Sequence, residues 1–227
     1  MSKKNFLIRA VTLLLLAAFA LSALVGCDGA YKMTIKNNMY YIRSTGVYYK
    51  AAPLNYMPVG KDTYDVPYAR HKNGDLTEIY HTVAANVDPE DYLALVYDNY
   101  VSGLLYASDI TLPSYREFDA NRVLILSNTE VWVSYAEITS EEGIDKILTA
   151  FENGEKIEYP ASGAIESYRL SFSSEKYPAF TMTLLFYNYG EGRTYIFNRG
   201  TRECRVVPDD LLEEYLGSDE GDDGVRV

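Results

Sequence analysis

The chain is poor in the residue types from which reactive sites are most often built. Its 227 residues contain two cysteines, two histidines and one tryptophan. Two cysteines far apart in the chain cannot form a disulfide framework. The histidines, His71 and His81, have Asp75 and Glu78 between them, but there is no HExxH helix and no cysteine pair to complete a zinc site. We therefore interpret both histidines as surface residues of a glycine-containing loop, and we predict no metal and no cofactor.

Long apolar runs are also scarce, and the one that stands out lies near the start. It extends from Val11 to Val25, follows three basic residues and ends in Leu24-Val25-Gly26-Cys27. At about 15 residues it is shorter than the roughly 20 that span a bilayer core. A basic segment, an apolar segment and a small residue before a cleavage point are typical of an export signal.

The tetrad Leu24-Val25-Gly26-Cys27 resembles the lipobox of bacterial lipoproteins. The resemblance implies that the Cys27 thiol receives a diacylglyceryl group and that signal peptidase II cuts between Gly26 and Cys27. Acyl chains on one cysteine hold a protein on a membrane without a spanning helix. We therefore expect residues 1–26 to be a signal peptide and the mature protein to be anchored on the extracytoplasmic face of the cell membrane, with the lipid bilayer as its first partner.

After such a cleavage, the chain would contain fewer basic than acidic residues. The mature chain would hold 18 basic and 32 acidic residues, a net charge of −14. Binding to phosphate backbones needs basic patches, so this charge argues against nucleic acid as a partner and against adhesion to anionic lipid or teichoic acid. A cationic partner or a divalent ion remains compatible with it.

Tyrosine is abundant, with 22 copies. Tyrosine favours strands, where its ring packs on apolar neighbours and its hydroxyl reaches water. The pattern of short β-prone runs and glycine turns predicts an α+β fold, mainly an antiparallel β-sheet, with one well-defined helix at about 140–153 and a short C-terminal helix. Residues 27–38 read as the lipidated cysteine and a tether that could hold a first strand, 39–217 as the domain with sub-halves 39–138 and 139–217, and 218–227 as a disordered acidic tail.

The helix has clear boundary signals. Thr139 and Glu142 have the spacing of a capping box, and Asn153-Gly154 offers a left-handed stop. Between them, apolar residues recur at helical spacing, which predicts one face buried against a sheet. These residues are Ile144, Ile147, Leu148 and Phe151.

Three other patterns have catalytic and structural interpretations. Cys204 falls in a predicted strand at 202–207 and is expected to be a small buried residue, since a catalytic thiol needs a nearby base. Ser173-x-x-Lys176 matches the serine–lysine step of penicillin-recognising enzymes, but it lies between predicted strands and no KTG element follows. Paired carboxylates are expected to solvate helix surfaces and offset helix dipoles; they are Glu141-Glu142, Asp209-Asp210 and Glu213-Glu214. We predict no catalytic residue.

The leading hypothesis is a non-enzymatic binding module at the cell envelope. A row of exposed tyrosines on one sheet face would stack on sugar rings or on apolar side chains of a peptide, so a polysaccharide or an envelope protein is the expected partner. Two alternatives stay open. One is an envelope hydrolase acting on cell-wall material, which needs a cleft joining His71 or His81 to an acid and a nucleophile. The other is an inhibitor or immunity-type protein for a basic partner.

Overall fold

The computed structural model describes residues 30–37, 39–59, 67–73, 75–82, 90–97, 100–129, 133–160 and 163–216. The predicted signal peptide, the lipobox-like tetrad with Gly26 and Cys27, and the predicted disordered tail at 218–227 lie outside these residues. Within the described ranges, no helix combines the length and the apolar composition needed to cross a bilayer.

Strands dominate the fold, and the described residues form fifteen of them and three helices. In chain order the strands are β1 Tyr31–Lys36, β2 Met39–Ile42, β3 Val47–Ala51, β4 Tyr56–Pro58, β5 Ala69–Asn73, β6 Asp75–His81, β7 Tyr92–Tyr97, β8 Tyr100–Ala107, β9 Arg122–Ser127, β10 Ser134–Ile138, β11 Lys156–Ile157, β12 Glu166–Ser173, β13 Phe180–Asn188, β14 Thr194–Asn198 and β15 Glu203–Val206. The helices are α1 Tyr115–Phe118, α2 Glu141–Asn153 and α3 Glu213–Leu216. The prediction of a mainly β protein with few helices is confirmed.

Seven strands close into a barrel, which the prediction of a mainly antiparallel β-sheet did not include. Their order is β1-β2-β3-β8-β7-β6-β5, and β1 returns to β5. Every neighbouring pair is antiparallel except β1 and β5, because a closed ring with an odd number of strands needs one parallel pair. Alternate side chains fill the interior, as period-2 strands require. The largest fully buried ones include Ile42, Tyr49, Ile79, Leu93 and Leu105.

The remaining strands form a second sheet. Its order is β10-β9-β12-β13-β14-β15-β11, and β4 pairs with the start of β13. Strands β9 and β10 belong to this sheet through the pairing of β9 with β12, and β4 belongs to it through β13. The second sheet therefore takes strands from both of the predicted sub-halves, 39–138 and 139–217. The tether at 27–38 contains β1, which completes the barrel.

The two sheets share a core. Tyr92 and Leu104 of the barrel lie in the same buried cluster as Phe180 of β13 and Phe118 of α1. The second sheet thus packs on the outer surface of the barrel at β7 and β8.

Helix α2 packs as its periodicity predicts, but its ends differ from the prediction. Ile144, Ile147 and Leu148 are buried in the shared core. The N-cap is Ser140, whose hydroxyl accepts a hydrogen bond from the Gly143 amide, so Thr139 is not the cap.

The helix also ends differently, because Gly154 has an extended backbone, with φ −62° and ψ 147°, instead of a left-handed one. Residue 154 is glycine because the backbone of a neighbouring strand leaves no space for a side chain. A Cβ at residue 154 would lie 2.2 Å from the carbonyl oxygen of Val206.

Candidate functional site: an aromatic sheet face

Strand β13 carries large side chains on both faces. Phe180 and Phe186 point into the core that all three described helices share. Leu185 and Tyr187 alternate with them and therefore lie on the opposite face. The antiparallel register pairs Leu185 with Phe197 and Tyr187 with Tyr195 of β14. Two strands thus place their rings side by side on the face away from the helices.

Tyr159, which follows β11, completes this group of rings. Its ring stacks on Phe197 with a centroid separation of 4.4 Å, and it meets Tyr187 edge-on at 5.7 Å. Tyr159 is 37% exposed; Tyr187, Tyr195 and Phe197 are half-buried. We call Tyr159, Tyr187, Tyr195 and Phe197 the aromatic face. Offset and edge-on geometries are those that aromatic pairs prefer, so the group holds its own shape.

The phenol group of Tyr159 stays protonated at physiological pH. Burial, followed by a hydrogen bond with Tyr187, raises the pKa of Tyr159. Burial also raises the pKa of the neighbouring Tyr189, whose hydroxyl donates to the carbonyl of Pro160 at 3.2 Å. The aromatic face therefore offers the neutral hydroxyl of Tyr159 and several ring faces to a ligand.

One arginine lies on the same sheet face as the rings, and a second arginine interacts with it. Arg169 of β12 pairs with Leu185, so it lies on the same face as Tyr187. Burial, and then repulsion from Arg199, lowers the pKa of Arg169. The two guanidinium groups are thus close enough to repel each other. A guanidinium donates up to five hydrogen bonds and remains charged, which makes it suited to bind hydroxyls and carboxylates.

The sequence did not reveal these two arginines. They are thirty positions apart, and only the strand register brings Arg169 into line with the rings. A signal was nevertheless present in residues 184–187, where apolar and aromatic side chains occupy both alternating sets of positions. A strand with one solvated face would show polar residues in one set.

Cys204 lies on the same side of the second sheet and is inert. It is 1% exposed, and its register partners are Phe197 and Ile157. Burial raises the pKa of its thiol to about 11, so the nucleophilic thiolate is scarce near neutral pH. The prediction of a small buried cysteine is confirmed.

The histidines do not form a loop site. His71 and His81 lie in β5 and β6 as half-buried residues, so their interpretation as surface loop residues is wrong. The ring of His81 packs against Tyr68 at 4.4 Å. Glu78 between them accepts hydrogen bonds from Arg70 at 2.8 Å and Tyr80 at 2.6 Å. Among the described residues, no three histidine, cysteine or acidic side chains converge in a way that could hold a metal ion.

The Ser173–Lys176 pattern does not form a serine–lysine pair. The Lys176 amine donates to the carbonyl of Glu117 at 3.2 Å and lies over the ring of Tyr177. Lys176 borders a cavity of about 300 Å³ between α1 and the start of α2, next to a second one of about 170 Å³. The two cavities share Asp119 and Glu141 in their linings.

The paired carboxylates act in the fold. Asp209 accepts hydrogen bonds from the Thr194 hydroxyl at 2.6 Å and from the Gly192 amide at 2.7 Å, which lower its pKa. Glu214 forms an ion pair with Lys146 at 2.6 Å, which lowers the pKa of the carboxyl group. These contacts hold residues 209–214 against β14, the turn before it and α2.

Comparisons of the chain with protein-family models, with curated proteins and with solved structures found no match.

Proposed function

We propose that this chain is a lipid-anchored, non-enzymatic binding protein of the cell envelope that holds glycan chains on its aromatic face. The observation that supports this most directly is the cluster of Tyr159, Tyr187, Tyr195 and Phe197, which is partly exposed on the face of the second sheet away from the helices. Tyr159 is 37% exposed and the other three rings are half-buried, so part of the group remains accessible to solvent.

A glycan fits this face better than an apolar peptide does. Sugar rings combine flat C–H surfaces, which pack on aromatic rings, with hydroxyls that accept hydrogen bonds from phenols and guanidinium groups. Arg169 and Arg199 add donors at the side of the rings, in a chain that is otherwise strongly acidic. Wall glycans that carry carboxylates would gain a charge-assisted hydrogen bond there.

Attachment is the second part of the proposal. The lipobox resemblance at Leu24-Val25-Gly26-Cys27 is its basis, and β1 begins four residues after Cys27. Acyl chains on Cys27 would keep the barrel near the membrane. Substituting Cys27→Ala should prevent signal cleavage and acylation. If the Cys27→Ala variant has the same electrophoretic mobility and the same detergent partitioning as the parent chain with Cys27, the anchor is contradicted.

The contacts of the candidate nucleophiles favour binding over hydrolysis. The Cys204 thiol is buried with a pKa of about 11, and the Lys176 amine is engaged with the carbonyl of Glu117. The ring of His81 is packed on Tyr68. The contacts named here are structural ones, which supports a binding role.

Retention on insoluble wall glycan tests the ligand. The detergent-solubilised full chain should sediment with peptidoglycan, and soluble glycan fragments should release it. Tyr159→Ala should weaken retention about two- to tenfold, because one aromatic contact contributes about 0.5–1.5 kcal/mol. Tyr135→Ala is the matched control, since Tyr135 is 55% exposed and meets another ring, Tyr168, edge-on at 5.5 Å, away from the aromatic face.

Two results would contradict the glycan proposal. One is a chain that does not sediment with any wall glycan. The other is an equal loss in the Tyr159→Ala and Tyr135→Ala variants, which would show that the aromatic face has no special part in retention.

A further inference from the structure

The charge of the chain is unevenly distributed, and the net value hides this. Residues 29–60 contain Lys32, Lys36, Arg43 and Lys50 and not a single acidic residue. Residues 111–227 contain 11 basic and 22 acidic residues. The first three strands are therefore a cationic region of an acidic protein.

These basic residues lie on the outside of the barrel. Met33 is buried in the barrel interior, so Lys32 and Lys36 on either side of it point outward, and both are exposed. Arg43 follows β2 and is also exposed. The ion pairs found among the described residues involve none of these three side chains.

Two tyrosines lie between the basic residues on the same outer surface. The register aligns Thr34 with Tyr41 and Tyr41 with Tyr48, across all three strands. The rings of Tyr41 and Tyr48 stack with a centroid separation of 4.5 Å. We call the outer surface formed by Lys32, Lys36, Arg43, Tyr41 and Tyr48 the cationic barrel face.

The cationic barrel face lies on the side of the barrel opposite the second sheet. The second sheet packs on β7 and β8, and in the closed order of seven strands β1 lies opposite them. Tyr31 follows Cys27 by four residues, so even a fully extended chain separates their Cα atoms by at most about 14 Å. An acyl group on Cys27 would hold this side of the barrel close to the lipid surface.

We propose that the cationic barrel face docks on anionic phospholipid headgroups of the leaflet that holds the acyl chains. This inference rests on the proposed lipid anchor. Each basic residue near an anionic membrane surface strengthens binding about fivefold, and the effect extends over a Debye length of about 8 Å. Tyrosine rings are enriched at the headgroup level, where the ring is apolar and the hydroxyl is hydrated. The docked barrel directs the second sheet and its aromatic face away from the bilayer.

Amine footprinting of the acylated full chain tests this docking. The protein is inserted into vesicles of phosphatidylglycerol or of phosphatidylcholine, and acetylation of each lysine is followed by mass spectrometry. Lys32 and Lys36 should react at least about fivefold more slowly on phosphatidylglycerol than on phosphatidylcholine, and high salt should remove the difference. Lys156 on the second sheet, whose side chain is 66% exposed, should react at the same rate on both.

A matched pair of variants isolates the cationic barrel face. Arg43→Gln should reduce the protection of Lys32 and Lys36 about fivefold. Arg122→Gln removes an exposed arginine of the second sheet, with a side chain 46% exposed, and should leave that protection unchanged.

The outcomes separate docking from anchoring. Equal acetylation on both vesicles, with the protein still retained after a salt wash, overturns the docking and leaves the anchor intact. Protein that binds only phosphatidylglycerol and is released by salt supports the docking and refutes the anchor. If protection of Lys32 and Lys36 rises with protein density on phosphatidylcholine, a second copy of the chain covers the cationic barrel face. If only an added anionic wall polymer protects these lysines, that polymer covers the face. Either result overturns the proposal.

Discussion

The buried carboxylate of Glu78 gives a quantitative test of the barrel. Its side chain is 8% exposed, and it accepts hydrogen bonds from Arg70 of the neighbouring strand and from the Tyr80 hydroxyl. Removing one member of a fully buried ion pair costs about 3–5 kcal/mol. The Arg70 side chain is 32% exposed, so water screens part of that cost. We expect Glu78→Gln, which keeps the shape and one acceptor oxygen, to lower the free energy of unfolding by about 2 kcal/mol.

Urea and thermal unfolding followed by circular dichroism measure this change. A loss of about 2 kcal/mol corresponds to a decrease in Tm of about 4–8 °C for a domain of this size. Glu137→Gln is the control, because Glu137 also pairs with an arginine on an adjacent strand, at 2.7 Å, but both side chains are nearly half exposed. That variant should lose less than about 1 kcal/mol. Equal losses in the two variants would refute the reasoning that burial sets the cost.

The same substitution has a second readout at Tyr80. Burial first, and then the hydrogen bond to Glu78, raises the pKa of Tyr80 from 10.0 to about 12. Its stabilising contribution is therefore present below pH 10 and is lost as the pH rises towards 12. In Glu78→Gln the pKa of Tyr80 should fall without reaching 10, because the burial remains. NMR titration of labelled tyrosine measures it, and an unchanged pKa would contradict the contact.

Three further predictions concern the helix and the thiol. Ser140→Ala should lose about 1 kcal/mol of unfolding free energy and Thr139→Ala clearly less, because the observed cap is Ser140. Denaturant midpoints of the two variants measure these losses, and a larger loss for Thr139→Ala would contradict the cap. Gly154→Ala should lose about 1–3 kcal/mol, since its Cβ meets the Val206 carbonyl; a variant as stable as the parent would show that no such crowding exists. A thiol reagent at neutral pH should label Cys204 only as fast as the protein opens; rapid labelling of the folded chain would contradict its burial.

The elements were largely predictable from the sequence because their signals are local. The β2–β3 hairpin follows from two β-prone runs around Gly46, and the buried face of α2 follows from spacing alone. The cap was misassigned because Thr139 and Ser140 are adjacent and both are good caps. Which of them becomes the N-cap depends on where the preceding strand β10 ends, and tertiary pairing sets that end.

The barrel and the site were not predictable for a different reason. Closure depends on the parallel pairing of Tyr31 with Ala69 and of Lys32 with Arg70, which are nearly forty residues apart. The aromatic face likewise depends on the register of β13 with β14. Composition showed that tyrosines were plentiful, but only the pairing shows which of them share a face.

Strand β1 joins the two proposals physically. It closes the barrel through one antiparallel neighbour, β2, and one parallel neighbour, β5, and it is also the first described element after Cys27. Its inward side chain Met33 fixes the strand to the barrel core, so a force applied at an acylated Cys27 would reach a packed element instead of a loose end. A short tether on a fixed strand would restrict the tilt of the barrel, and a restricted tilt would keep the aromatic face on the side opposite the membrane. Under the two proposals, substitutions on β1 would therefore alter the orientation of the protein, whereas those on β13 and β14 would alter ligand binding.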